Sequence, residues 1–262
     1  MIVLKSFLLN VQFFTTFPIR KELSMGKEEW KWMVRTFPIL GFSIGVLLSS
    51  GYLLLAAYTP MSTLALSFYI WVMPILISGG LHLDGYMDAS DAYFSYRDQN
   101  RRLDIMKDPR VGAFGVLSVL VLLSSRFLFI YETLQNSDSA VISMVLVSIP
   151  ILSRLVMGAC LVLIPPAQNS GMGYSFSKHI SMKEIPWLVL LPLLVGVSSI
   201  LLHDFVMYSL FFMVTIGCFW FIYLKTIKWF GGMTGDTVGA SVEGVEWILW
   251  MTIWLLQLFD MV

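Results

Sequence analysis

Residues 37–58 read FPILGFSIGVLLSSGYLLLAAY, from Phe37 to Tyr58, without one charged side chain. A bilayer core of about 30 Å is crossed by roughly 20 apolar residues in a helix, and this stretch meets that length. Working outward, further runs lie near Leu64–Leu81, Val111–Tyr131, Val141–Ile164, Pro186–Leu202, Phe205–Leu224 and Trp247–Leu258, the last of them short. Hydrocarbon leaves no water to satisfy open sheet edges, and the period-2 alternation of a membrane barrel is missing from these runs. The sequence therefore predicts an all-α polytopic membrane helical bundle of about seven transmembrane helices.

Composition agrees. Of 262 residues, 57% are hydrophobic and only 13% charged, against roughly 25% charged in a soluble domain. A soluble enzyme, a disordered chain and a secreted disulfide scaffold are all excluded. The net charge of zero leaves no basic surplus for nucleic acid. Cys160 and Cys218 stand in apolar surroundings without metal-ligand spacing and read as core filler.

Basic residues orient the chain. Lys5, Arg20, Lys21, Lys27, Lys31 and Arg35 precede the first span; Arg97, Arg101, Arg102, Lys107 and Arg110 lie between the second and third. Lys178 and Lys183 follow the fourth, and Lys225 and Lys228 the sixth. With seven crossings all fifteen fall on one side, which the positive-inside rule makes cytoplasmic in a cell-membrane protein. Ile2–Phe14 is apolar but lacks a cleavage site, and reads as an interfacial or re-entrant helix within an N-terminal segment, residues 1–36, that places Trp30 and Trp32 at headgroup level. No repeat or linker divides the chain, so residues 1–262 read as one integral-membrane domain.

The chemistry gathers on the basic side, in a cytoplasmic loop and helix over residues 82–110. Asp84, Asp88 and Asp91 recur at i, i+4 and i+7, one stripe of a helix. Like charges so arranged repel, and the usual compensation is a hard divalent cation, most often Mg²⁺ with substrate phosphates completing its shell. His82 stands beside them, and the cations Arg97, Arg101, Arg102, Lys107 and Arg110 suit a phosphorylated substrate. Asp104 and Asp108 are further candidate ligands, although Asp108-Pro109 equally suits the start of the third span as N-cap and N1.

A second cluster, Gly231–Glu243 (GGMTGDTVGASVE), combines glycines that permit close backbone approach with Thr234, Asp236 and Glu243. Two arginines lie inside spans, which marks them as functional candidates. Arg154 is expected to line a polar pocket open to the basic side, and Arg126 to snorkel at the outer end. His179 and His203 read as interfacial residues. Gly112–Gly115 (GAFG) and the small residues around Gly158 would allow close helix contacts, within the chain or in a homo-oligomer.

These stretches together resemble the cobalamin synthase family, adenosylcobinamide-GDP ribazoletransferase. The resemblance runs through Phe13–Pro18, Phe37–Gly41, Gly80–Gly85 (GLHLDG) with Asp88 and Asp91, Arg101–Gly115 (RRLDIMKDPRVGAFG), Ser153-Arg154, Gly171–Gly173 and Gly231–Ala240 with Glu243. Thr16 stands where the family usually has Arg, so the N-terminal motif carries no assigned substrate contact; Ala92 where the family has Gly, and Pro109 where Ser is common, leave the carboxylate stripe intact.

The resemblance implies an attack by a hydroxyl of α-ribazole, or of its 5′-phosphate, on the cobinamide-side phosphorus of adenosylcobinamide-GDP, with GMP leaving. It implies Mg²⁺ on Asp84, Asp88 and Asp91, one of them doubling as base, with Asp104, Asp108, Asp236 and Glu243 as further ligands. His82, Arg97, Arg101, Arg102, Lys107, Arg110, Arg154, Thr234 and Asp236 are then the candidate substrate contacts. The competing enzyme reading is another membrane transferase of activated diphosphates. The CDP-alcohol type would need Ala-Arg where Met87-Asp88 stands, and the prenyltransferase type two Asn-led acidic motifs. A transporter would place its ionisable groups at the midplane of an inverted repeat, whereas these acids crowd on one aqueous face.

Overall fold

The computed structural model describes residues 2–201 and 205–259; His203 and Asp204 lie outside them. The described chain is helical throughout: α1 (Ile2–Phe14), α2 (Lys27–Arg35), α3 (Phe37–Tyr58), α4 (Thr63–Ser78), α5 (Leu81–Phe94), α6 (Gln99–Ile105), α7 (Ala113–Asn136), α8 (Ser139–Leu163), α9 (Gly171–Ser177), α10 (Ile185–Leu201), α11 (Phe205–Phe230) and α12 (Gly235–Leu258). Five helices, α3, α7, α8, α10 and α11, are long and apolar enough to cross a membrane, and α4 joins them as a sixth if counted with α5.

α8 is the hub. Every residue from Ser148 to Gly158 is buried, so this helix is enclosed on all sides by protein and not by lipid. Its nearest neighbour is α3, where Gly41 and Gly45, one turn apart, let two backbones approach. A Cβ on Gly45 would lie 2.7 Å from Val147 Cα and 2.8 Å from the Leu146 carbonyl oxygen, and one on Gly41 would meet the Pro150 backbone. The glycines expected to mediate close contacts are used within the chain: Gly115 faces Met87, and Gly158 faces Leu188.

Two glycines set the position of the acidic stripe. Gly79 and Gly80 both take left-handed backbone angles, with φ of 63° and 76°, which a side chain would strain. They stop α4 and turn α5 by 88° from its direction. The second span therefore ends at Ser78, and α5 leaves the crossing direction to lie at that end of the bundle.

The last helix differs from the expected span and is not among the helices apolar enough to cross. Instead of a short segment near Trp247–Leu258, α12 runs 24 residues from Gly235, with the Thr234 hydroxyl accepting from the Thr237 N–H as its cap. Glu243 and Glu246 interrupt its apolar run, and both are buried in ion pairs. At the other end of the chain, α1 is pinned by Asn10, whose amide donates to the Met33 carbonyl and the Thr36 hydroxyl at 2.8 and 2.9 Å. Trp30 packs on Phe176 and Trp32 on Trp187.

Gly45→Val should overpack the α3–α8 contact and cost about 1–3 kcal/mol, read as a lower unfolding midpoint in detergent. Gly244→Ala, on α12 with open space where its Cβ would stand, should leave that midpoint unchanged or raise it.

Candidate functional site

α5 and α12 approach through glycine on both sides. A Cβ at Gly85 would sit 2.9 Å from Asp236 Cα, and one at Gly239 would sit 3.1 Å from the His82 carbonyl oxygen. The same end receives two loops held edge to edge, where the Ala167 N–H donates to the Met233 carbonyl at 2.9 Å and the Met233 N–H to the Pro165 carbonyl at 2.8 Å. Between them opens a pocket of about 380 Å³. His82, Asp84 and Gly85 come from α5, Lys107 from the segment after α6, Gln168 and Ser170 from the loop before α9, Gly171 to Tyr174 from the start of α9, Thr234 from the cap of α12 and Asp236 from its first turn. Phe14, Met157 and Phe176 supply apolar wall.

The acidic stripe forms as expected, but its members differ in surroundings. Asp84 and Asp236 line the pocket. Asp88, half-buried one turn along from Asp84, is pushed up to about 6, first by burial and then by the charges of Asp84, Asp236 and Asp91. Asp91 turns to the start of α7, where its carboxylate accepts from the Gly115 N–H at 3.3 Å. That is a favourable place for an anion, at a helix N-terminus.

Among the described residues, no three of His, Cys, Asp and Glu converge tightly enough to hold a metal ion unaided. The donor set nevertheless fits Mg²⁺, which is usually bound through one or two carboxylates, with water and substrate phosphate in its other positions.

The remaining candidates divide. Glu243 is not near the acidic stripe: its carboxylate accepts from Arg126 Nη2 at 2.5 Å, with both side chains buried. Arg126 is therefore a core residue and does not snorkel outward. Arg154, 4% exposed, donates to Glu246 at 2.9 Å and to Ser153, so it is enclosed instead of open to the basic side.

Asp108 is chelated by Arg110 through Nε and Nη2, and those hydrogen bonds hold its carboxyl down to about 2. The cap of α7 is Gly112, not Asp108. Arg102 donates to the Trp229 carbonyl and lies over the Tyr93 ring, which docks α6 on the carbonyl end of α11 together with Gln99. Asp104, Arg97 and Arg101 are exposed and do not line the pocket. Lys107 is the one Lys or Arg among the described residues lining it. Sequence reasoning missed Gln168, Ser170 and Tyr174, whose signal was the polar run between Pro166 and Gly173, and it missed Glu246.

The profile of the cobalamin-5-phosphate synthase family matches residues 6–254. A protein named adenosylcobinamide-GDP ribazoletransferase from Geobacillus sp. (strain WCH70) is 42% identical, over 98% of this chain and 97% of its own length. Proteins of the same name from Geobacillus kaustophilus and Pseudomonas aeruginosa are 38% and 31% identical, over 95% and 93% of this chain and 95% of each relative. No solved structure matches.

Arg126→Leu should cost about 3–5 kcal/mol by leaving Glu243 buried and unpaired, and Arg126→Leu with Glu243→Leu should recover most of it; thermal unfolding in detergent reads both. The raised Asp88 carboxyl predicts a pH effect of definite sign. The folded state holds this proton more tightly than the unfolded chain, so stability of the metal-free protein falls as pH rises through about 6. After solvent screening the difference between pH 4 and 7.5 should be about 1–2 kcal/mol, most of it lost between pH 4 and 6, and Asp88→Asn should remove that slope.

Proposed function

The chain belongs to the cobalamin-5-phosphate synthase family, and we propose that it joins adenosylcobinamide-GDP to α-ribazole, or to α-ribazole 5′-phosphate, with release of GMP. The observation that carries this reading is the pocket itself: two carboxylates on facing helices, a lysine on its rim and loop backbone around it. Phosphoryl transfer asks a protein mainly to align a diphosphate and balance its charge, with a carboxylate near the attacking hydroxyl.

In this reading Asp84 and Asp236 hold Mg²⁺. Once bound, the ion would offset phosphate charge and favour departure of the leaving phosphate. Lys107 faces the leaving GMP, and the exposed Arg97 and Arg101 attract the anionic substrate from outside the pocket. The α-ribazole hydroxyl attacks the cobinamide-side phosphorus, one P–O bond forms, and the bridging P–O bond breaks with its electron pair going to GMP. Asp88, poised near neutrality, takes the hydroxyl proton; a base is most effective when its pKa lies close to the working pH. His82, Gln168 and Thr234 shape the pocket around the transferring group. The fifteen basic residues that seven crossings would gather on one side support, by the positive-inside rule, a site on the cytoplasmic face of the cell membrane.

The purified protein in detergent, given adenosylcobinamide-GDP, α-ribazole and Mg²⁺, should release GMP, and EDTA should stop it. Asp84→Asn and Asp236→Asn should abolish release while the protein stays folded. Near-normal turnover by either variant would remove the carboxylate assignment, and competition between α-ribazole and its 5′-phosphate decides which is preferred.

A further inference from the structure

The pocket has two ends of different chemistry. Its exposed mouth carries Asp84, Lys107 and Ser170, and its interior is walled by Phe14, Leu103, Met157, Leu161, Phe176 and Met233, all of them buried. Among the described residues, His82 is the one polar side chain buried with that floor. Balancing a diphosphate occupies the mouth and leaves the apolar floor without a task. The floor is held in place from behind. Thr16 donates through its N–H to the Ile77 carbonyl at 2.7 Å and through its hydroxyl to the Leu76 carbonyl at 2.9 Å, which fastens the end of α1 to the end of α4. Phe14 then meets Phe37 edge-on at 5.5 Å and stacks on His82 at 6.1 Å, while Phe176 stands edge-on to Trp30 at 4.5 Å. A wall of rings fixed in advance costs little further ordering when a flat ligand arrives. The buried thioethers of Met106, Met157 and Met233 add polarisable contacts suited to an aromatic face.

We infer, on the reading that this pocket hosts the transfer, that the floor binds the aromatic base of the acceptor nucleoside, the dimethylbenzimidazole of α-ribazole. Phe14, Met157 and Phe176 are then specificity-determining residues. Of the groups that the transfer brings together, guanine carries donors and acceptors around most of its edge, and burial beside a single histidine would leave most of them unpaired. The adenine of the adenosyl group meets the same difficulty. A corrin macrocycle with its amide side chains is too large for about 380 Å³, a volume at the small end of ligand pockets. A dimethylbenzimidazole joined to ribose through one nitrogen keeps a single in-plane acceptor, and the rest of its edge is hydrocarbon. With the base on the floor, the ribose spans to the mouth. Its hydroxyl comes up beside Asp84 and Asp236, and GMP departs past Lys107 into solvent.

Each buried methyl group is worth about fourfold in affinity. The riboside of unmethylated benzimidazole should therefore show a KM about tenfold above that of α-ribazole with kcat little changed, as expected of uniform binding. Free dimethylbenzimidazole should inhibit in competition with α-ribazole and not with adenosylcobinamide-GDP. Phe14→Leu should raise the KM for α-ribazole by about fivefold and leave that for adenosylcobinamide-GDP within about twofold, whereas a merely structural loss would move both. Equal KM values for the two ribosides, or inhibition by the free base in competition with adenosylcobinamide-GDP, overturns the inference even though GMP is released. Should Phe14→Leu not fold, those two measurements on the wild-type chain decide. If the wild-type chain releases no GMP, equilibrium dialysis of each riboside, corrected for uptake by detergent alone, reads the floor by itself. A preference of about tenfold for the methylated base then overturns the transfer and keeps the floor, and no preference overturns both.

Discussion

Arg126 and Arg154 each place a guanidinium among apolar side chains, where an unpaired charge would cost several kcal/mol, and each is met by a glutamate from α12. The two glutamates lie three residues apart, so they leave the same side of that helix, one toward α7 and the other toward α8. This fixes the rotation of α12 about its own axis. A helix held only by apolar contact in a lipid-like surround would have little to specify its rotation, because lipid and leucine are alike to it. The pairs supply the specificity that hydrophobicity cannot.

With α12 fixed in this rotation, its small residues at Gly239 and around Asp236 face α5, and α5 can lie against it at backbone distance. The left-handed turn at Gly79 and Gly80 delivers α5 to that place after α4 has crossed. Asp84 and Asp236 therefore meet at the pocket although 152 positions separate them (236 − 84). The loops at 165–167 and 231–233 close the remaining side through two backbone hydrogen bonds, an arrangement independent of side-chain identity. The pocket is thus built from helix ends and loops, while the rotational reference sits deeper, in the ion pairs.

Most of the helices were legible because span length and apolarity are local properties: Phe37–Tyr58 was read to the residue. α12 was not, since Glu243 and Glu246 make its first half look aqueous, and only partners 117 and 92 positions away show them to be interior. The stripe of Asp84, Asp88 and Asp91 was visible as a helical period. That Asp91 instead supports the start of α7 depends on a contact with Gly115 that periodicity does not encode. Gly41 and Gly45 carried a visible four-residue spacing, yet the same spacing fits a lipid-facing helix equally well. Arg102 and Arg110 looked like phosphate ligands by charge alone, and their engagement by Trp229, Tyr93 and Asp108 is a matter of geometry.

That engagement bears on what balances the acids. Arg102 is docked on α11, Arg110 is closed on Asp108, and Arg126 and Arg154 answer glutamates in the core. Of the cations expected to serve phosphate, Lys107 is the one that borders the pocket, while burial first, and then the charges of Asp84, Asp236 and Asp91, raise Asp88 to about 6. A resident arginine in the pocket would cancel this repulsion permanently and leave less affinity for a charged ligand. With the arginines held elsewhere, the acids keep an electrostatic debt, and under the proposed function a divalent ion carrying a diphosphate would relieve it, turning repulsion in the free protein into attraction for that complex.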